Sequence, residues 1–336
     1  MTLAEAALAR LSEEIAERSS VLGRRVDVAA MRVTDRAGEL PLAPAGGLVS
    51  PNGACRLFRA ADGWMALNLA RPEDADLVPA WLECDLGEPW ALVTTHAPRR
   101  TCADLAARAD LLGLPACRVG EAAPAAAPRL AVTGAAQRST RTGLKVVDLS
   151  ALWAGPLCGA VLAAMGAEVV RVESVRRPDP SRRSTPGLFA RLNGAKSERP
   201  LDLADPAGHA RLLDLIRAAD VVITSARRRG LASIGLDPLA LVRAVPGLVW
   251  VAISGYGQVG PDRPAFGDDA AAAGGLLRWA DGEPCFLGDA LADPVTGLAA
   301  AASALAALQA GGGVVVDAGM APAAARAVGT ALASAA

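Results

Sequence analysis

The chain has 336 residues, 52% of them apolar but only 3% aromatic, and a formal net charge of −1. That length suits about two domains with cores built mainly from Ala, Val and Leu, and the near-neutral charge excludes a general polyanion binder of the histone or repressor kind. No nucleic-acid partner is expected. The cysteines Cys55, Cys84, Cys102, Cys117, Cys158 and Cys285 are scattered, with no C-x-x-C pair, and His96 and His209 are the only histidines. No metal site is therefore expected, and the cysteines read as small apolar residues in a reducing compartment. The opening segment is charged and amphipathic rather than a signal peptide, and every apolar run of spanning length is broken by Gly or Pro. A cytoplasmic chain with no membrane partner is the expectation.

In chain order, TLAEAALARLSEEIAERSSVLG predicts a helix, and the turn-rich ELPLAPAGGLVSPNG follows. Strand character over Cys55–Arg59 and Trp64–Leu69, with Asp62-Gly63 between, predicts a hairpin. Pro72 opens a helix that Pro79 should interrupt. A second helix, Cys102–Leu112, is stopped by Gly113 and Pro115, and a short strand, ACRV, comes next. Residues 1–120 thus read as a small α+β domain. Residues 121–142, rich in Ala, Pro, Ser and Thr, read as a linker.

From 143 to 336 strand and helix alternate, the pattern of a Rossmann-like parallel sheet, so the fold class is α/β. LKVVDLSALWAGPLCGAVLAAMGAEVVRVE writes strand, turn, helix and strand without the G-x-G-x-x-G fingerprint, which points away from a standard dinucleotide. Pro156 marks the start of its helix and Gly166 the exit. Asp205-Pro206 and Asp237-Pro238 repeat the start signal before helices that lead into the strands VVIT and LVWVAIS. Ala-rich helices are predicted over roughly Asp269–Ala280 and Pro294–Gln309, and VVVDAGM supplies one more strand.

Chemistry is best placed at the carboxyl ends of these strands. The turn Trp153-Ala154-Gly155-Pro156 leads a strand into a helix N-terminus, where N–H groups favour anions. Arg176, Arg177, Arg182 and Arg183 follow one strand and Arg227, Arg228 and Arg229 another, so both clusters emerge at one sheet edge, where guanidinium forks suit phosphate. Asp293 precedes Pro294 at the head of an Ala-rich helix. It reads equally as an N-cap kept ionised by the helix terminus and as a nucleophile toward an activated acyl group. His96 and His209 lack the surroundings of a nucleophile–base pair.

VVDLSALWAGPLCGAVLAAMGAEVVRVE, LNGAKSERPLDLADPAG, ADVVITSARRRGLASIGL, LVWVAISGYGQVGP and LADPVTGLAAAASALAAL follow one another over roughly residues 143–320. These blocks resemble those of the class III CoA-transferase (CaiB/BaiF) family, which also contains α-methylacyl-CoA racemases. The resemblance implies an acyl-CoA thioester as substrate, a carboxylic acid as its partner substrate and no permanently bound cofactor. It implies that Asp293, four residues before Gly297, is the catalytic nucleophile, forming aspartyl anhydride and aspartyl-CoA intermediates. It places CoA contacts at Trp153, Ala154, Arg176, Arg177, Ser225 and Arg227, and puts Asp268 of the Gly267-Asp268-Asp269 run where the racemases carry an acid–base His. The implied activity is CoA transfer, with an acyl-CoA racemase or isomerase and a catalytically silent CoA-binding subunit as alternatives. PNGACRLFRAADGWMALNL and CADLAARADLLGLPACRV resemble the family's small domain, which normally follows the large one. The implied order is therefore permuted, and a homodimer is implied.

Overall fold

The computed structural model describes residues 2–124, 129–132, 134–137, 143–258 and 260–335. Helix α1 (Leu3–Val21) opens with a capping box in which Thr2 and Glu5 exchange hydrogen bonds, and α2 (Val28–Met31) follows. Strands β1 (Cys55–Ala60) and β2 (Gly63–Asn68) form the predicted hairpin, and β3 (Ala116–Arg118) pairs antiparallel with β2. Between them run α3 (Pro72–Asp76), α4 (Val78–Leu82), α5 (Pro89–His96) and α6 (Cys102–Leu112). The break at Leu77 meets the expectation from Pro79, whose ring cannot continue the preceding helix. Met65, Leu67, Trp81 and Leu105 are buried together here, and the Trp81 indole N–H donates to Leu105 O at 2.9 Å.

The larger unit comprises β4 (Arg129–Val132), β5 (Lys145–Leu149), α7 (Ala154–Ala164), β6 (Glu168–Ser174), α8 (Ser181–Ser184), α9 (Pro186–Asn193), β7 (Ser197–Leu201), α10 (Pro206–Arg217) and β8 (Val221–Thr224). It continues with α11 (Arg228–Ser233), α12 (Pro238–Ala244), β9 (Val249–Ser254), α13 (Gly267–Ala273), β10 (Leu277–Ala280), β11 (Glu283–Phe286), α14 (Ala292–Gln309), β12 (Val314–Gly319) and α15 (Met320–Ala335). The sheet order is β4-β12-β9-β8-β5-β6-β7, and six of its strands are parallel, with β4 the antiparallel edge. Alternate residues serve opposite faces. Val146, Ile223, Val251 and Val316 pack toward α7 and α14, whereas Val147, Val222, Trp250 and Val315 pack toward α10 and α12. No helix among the described residues is long and apolar enough to cross a membrane.

Four expectations need correction. The stretch read as a linker, 121–142, contains β4, a strand of the large sheet paired with β12. Helix α1, read with the small domain, packs on α14 and α15 and shares the core of the large unit, because Ala4, Ala7, Leu11 and Ile15 put an apolar stripe on one face. The helix expected over Asp269–Ala280 ends at Ala273, and the β10–β11 hairpin follows around Asp281-Gly282, both with positive φ as a type I′ turn needs. Helix α14 begins before Pro294, with Leu291 as N-cap, so Asp293 lies in its first turn and is not the cap.

Small residues let α14 and α7 approach closely. A Cβ on Gly297 would stand 2.6 Å from Ala154 O, so Gly is required where the two helices meet. At the other end of α13 the small unit is fastened by main-chain bonds, Gly120 N–H to Ala272 O and Ala122 N–H to Ala273 O, both 2.9 Å. The carboxyl ends of β5, β8, β9 and β12 therefore open onto one edge with the small unit beside it.

Candidate active site

The loop from β5 into α7 is held at three backbone donors by three separate segments. Ala151 N–H donates to Ser225 Oγ at 3.0 Å, Leu152 N–H to Asp179 Oδ2 at 3.1 Å and Ala154 N–H to Asp293 Oδ1 at 3.4 Å. These bonds hold Leu152 at φ +69°, a left-handed conformation that costs a side-chain-bearing residue on the order of 1–3 kcal/mol. Beneath the loop, Lys196 Nζ donates to Asp148 Oδ2 (2.7 Å), Pro156 O (2.8 Å) and Asn193 Oδ1 (3.0 Å). Burial pulls the Lys196 ammonium below its ordinary pKa, and Asp148 opposes that pull. A Cβ at position 159 would lie 2.6 Å from Asp148 Oδ2, so Gly159 makes room for this ion pair under α7.

Above the loop lies a cleft of about 640 Å3 bounded by Arg71, Arg177, Arg227 and Arg229, with Asp293 in its wall. Arg177, Arg227 and Arg229 make no ion pair among the described residues, whereas Arg71 is held by buried Asp74. Burial lowers the Arg227 pKa, and Arg229, Arg71 and Arg177 add to the effect against Asp262. Cations collected this way, short of counter-charge, suit a polyanionic ligand.

Asp293 is half-buried in the cleft wall, and desolvation pushes its pKa up to about 7. Arg36 and the Ala154 N–H favour its charge, while Asp268 and Asp289 disfavour it. The expectation of a carboxylate held fully ionised by the helix terminus is thereby corrected: desolvation outweighs the N-terminal donors. Asn52 Nδ2 bridges Asp268 Oδ2 and Asp289 Oδ1, each at 2.6 Å, and Arg36 grips Asp289 with two bonds of 2.5 and 2.9 Å. Burial raises Asp268 to about 6 and Asp269 to about 8. Gly267 completes the wall, since a Cβ there would come within 2.3 Å of Asp293 Oδ2.

Arg36 is thus the cation set against three crowded carboxylates. Arg36→Met is expected to move the acidic limb of the pH–rate profile upward, so that activity at pH 6.5 falls roughly 10-fold further than at pH 8.5, a change of ~1.4 kcal/mol. Equal losses at the two pH values would show that Arg36 does not act through the Asp293 charge.

Of the residues expected to share a site, Ala154, Arg177, Ser225, Arg227 and Asp293 all line the cleft. Trp153 does not: its indole is buried, donates to Val33 O at 2.9 Å and lies under the Arg36 guanidinium, 5.4 Å from the ring centroid. Arg176 turns to solvent and pairs with Asp202 at 2.8 Å. Asp268 sits behind the cleft wall, its oxygens taken by Asn52 and by the Ala290 N–H at 2.7 Å. Three charged residues were missed, among them Arg263, which lines the cleft and pairs with Glu121. Arg71 comes from the small unit after β2, and Arg36 from a turn-rich stretch without periodicity, so no local pattern marks either. Among the described residues, no group of three or more His, Cys, Asp and Glu side chains is placed to hold a metal ion.

A family model for CoA-transferase family III matches residues 142–336, which include the six parallel strands of the sheet and every cleft residue named above except Arg71. The chain belongs to CoA-transferase family III. It is 34% identical over 185 residues to a succinate–glutarate CoA-transferase of Agrobacterium fabrum, covering 50% of this chain and 46% of that protein. It is also 34% identical over 193 residues to a succinyl-CoA–D-citramalate CoA-transferase of Chloroflexus aurantiacus, covering 53% and 48%. Among solved structures, a CaiB/BaiF family protein from Brucella suis aligns with a TM-score of 0.51 and 30% identity over 56% of this chain and 55% of that one. The chain spans about half the length of the curated relatives it matches.

Proposed function

We propose that the protein transfers CoA from an acyl-CoA donor to a carboxylic acid, with Asp293 as the nucleophile. The observation that carries this reading is a desolvated carboxylate, with a pKa of about 7, in the wall of a cleft that also presents Arg177, Arg227 and Arg229, none of them in an ion pair among the described residues. One Asp293 oxygen attacks the thioester carbon; the C–S bond breaks, CoA thiolate leaves and an acyl–aspartyl anhydride forms. The thiolate then attacks the aspartyl carbonyl, releasing the donor's acid and leaving an aspartyl-CoA thioester. An acceptor carboxylate displaces the thiolate to give a second anhydride, and the thiolate takes the acceptor acyl group, restoring Asp293. No proton is gained or lost, and each intermediate carries one activated acyl bond, as an anhydride or as a thioester, so the thioester's free energy passes to the acceptor. The Ala154 N–H, 3.4 Å from Oδ1, is a donor for the oxyanion formed on the aspartyl carbon.

Arg177, Arg227 and Arg229 take the phosphate groups of CoA in this reading. Arg227→Ala is expected to raise KM for acyl-CoA about 10- to 100-fold with little change in kcat, as loss of a charge-assisted contact does. Arg176→Ala, outside the cleft, should stay within about twofold of wild type. The assay follows CoA passing to labelled carboxylic acids from a panel of acyl-CoA donors. Equal effects of the two substitutions would remove the CoA site from this cleft.

The commitment of both Asp268 oxygens behind the wall supports transfer over racemisation, which needs a second acid–base group at the substrate. Exchange of the substrate's α-proton with solvent, without CoA migration, would reverse that preference. A silent CoA-binding subunit would bind acyl-CoA and give neither reaction.

A further inference from the structure

Ala290, two residues before α14, has a φ of +47°, in the left-handed region that residues with a side chain rarely adopt. It is also buried, so its partners rather than solvent fix the conformation. Its N–H donates to Asp268 Oδ1 at 2.7 Å, and its carbonyl accepts the Asp293 N–H at 2.9 Å. The left-handed residue therefore joins Asp268 on one side to the backbone of Asp293 on the other. Helix α14 gets no help from its own cap, since Leu291 offers no side-chain hydrogen bond and Pro294 has no N–H to place.

Asp268 is itself held where it can do this. Its Oδ2 accepts from Asn52 Nδ2 at 2.6 Å, and the same nitrogen donates to Asp289 Oδ1, also at 2.6 Å. The Asn52 amide cannot turn over, because its Oδ1 accepts the Ala54 N–H at 2.9 Å and the Ser50 hydroxyl at 3.1 Å. Arg36 closes the set on Asp289. Residues 289 and 290 are thus gripped from α13 and from two positions before β1. Gly267 shuts the remaining side: a Cβ there would stand 2.5 Å from Ala290 O and 2.6 Å from Ala290 Cβ.

We propose that Asp268 is a positioning residue for CoA transfer: by holding Ala290 left-handed it sets the first turn of α14, and with it the direction in which the Asp293 carboxyl enters the cleft. It touches neither substrate nor reacting atoms. The positioning role rests on Asp293 being the nucleophile, whereas the hold on the Ala290 turn does not. Glycine populates positive φ about as readily as negative φ. Ala290→Gly therefore lets the turn form without the hold, which separates positioning from a simple loss of packing.

A double-mutant cycle on kcat, with the best donor of the acyl-CoA panel, reads this directly. Asp268→Ala is expected to lower kcat about 100-fold, as a misplaced reacting group does, while KM for acyl-CoA stays within about threefold because the cleft arginines are untouched. In an Ala290→Gly background the same substitution should cost no more than about 10-fold. Asp268→Asn, which keeps the volume and a weaker, uncharged acceptor, serves if the Ala variant does not fold: its loss, about 10-fold, should shrink to about twofold in the Ala290→Gly background. Equal losses in the two backgrounds, or a loss that falls on KM, overturn the proposal. So does an exchange of the substrate's α-proton that wild type catalyses and the Asp268 variants lose, since Asp268 would then be an acid–base group. Relief by Ala290→Gly in a protein whose Asp293→Asn variant keeps wild-type turnover would uphold the hold on the turn and overturn the nucleophile reading instead.

Discussion

Asp293→Asn is expected to lower the turnover number for CoA transfer by about 10⁴-fold or more, because an amide cannot form the acyl anhydride. Its side-chain oxygen can still accept the Ala154 N–H, and the cleft arginines are untouched, so affinity for CoA should change by no more than about twofold. Folding gives an independent reading of the same group. An Asp in an unfolded chain ionises at about 4, whereas desolvation in the cleft wall holds Asp293 at about 7. Its folded pKa is thus raised, so the native state loses stability as pH rises from the unfolded value to the folded one, and the loss is complete above about 7. Asn carries no such cost. At pH 8 the inactive variant should melt no lower than wild type, as expected when a residue is kept for chemistry at the expense of stability. A variant that retains more than about 1% of the wild-type turnover would remove Asp293 from the nucleophile's place.

The second large effect lies under α7. Lys196→Met leaves the Asp148 carboxylate buried without its cation, at a cost of about 3–5 kcal/mol, and the thermal midpoint should fall by roughly 10 °C. Both side chains are fully buried, so water cannot replace the lost partner. Replacing the pair together, Asp148→Leu with Lys196→Met, should recover much of the stability, because no unpaired charge remains. Activity should not return with it: Lys196 also holds Pro156 O in the first turn of α7, whose N-terminal Ala154 N–H meets Asp293. A double variant as unstable as the single one would mean that shape, not charge, sets the cost.

The large sheet was legible because its signals are local. Val-rich runs buried on both faces, and Asp-Pro starts before α10 and α12, mark strands and helices without reference to tertiary contacts. Where partners decide the structure, the sequence was silent. Strand β4 exists because its backbone pairs with β12, and nothing in its Ala- and Pro-rich surroundings announces that. Alanine is equally misleading, since the run after Asp269 keeps helix propensity while Asp281-Gly282 turns the chain into a hairpin.

The cleft shows the same division. Arg177 and Arg227 were found because parallel strands deliver the residues after them to one edge. Arg176 was mistaken for a partner because adjacent residues leave a strand on opposite sides, and this one meets Asp202. Trp153 keeps the right position in the loop but turns inward, where Val33 O takes its N–H. Asp293 was legible as a carboxylate at a helix start, and it does line the cleft, yet its ionisation could not be read from that place, because its surroundings are set by α13, the Gly267 approach and Arg36.

Mass spectrometry of the Asp293 peptide tests the central claim most directly. After incubation with an acyl-CoA donor and no acceptor acid, followed by an acid quench and proteolysis, that peptide should gain the mass of CoA less one water. Adding acceptor acid before the quench should remove the gain. Steady CoA transfer with the Asp293 peptide unmodified at every time point would contradict the account.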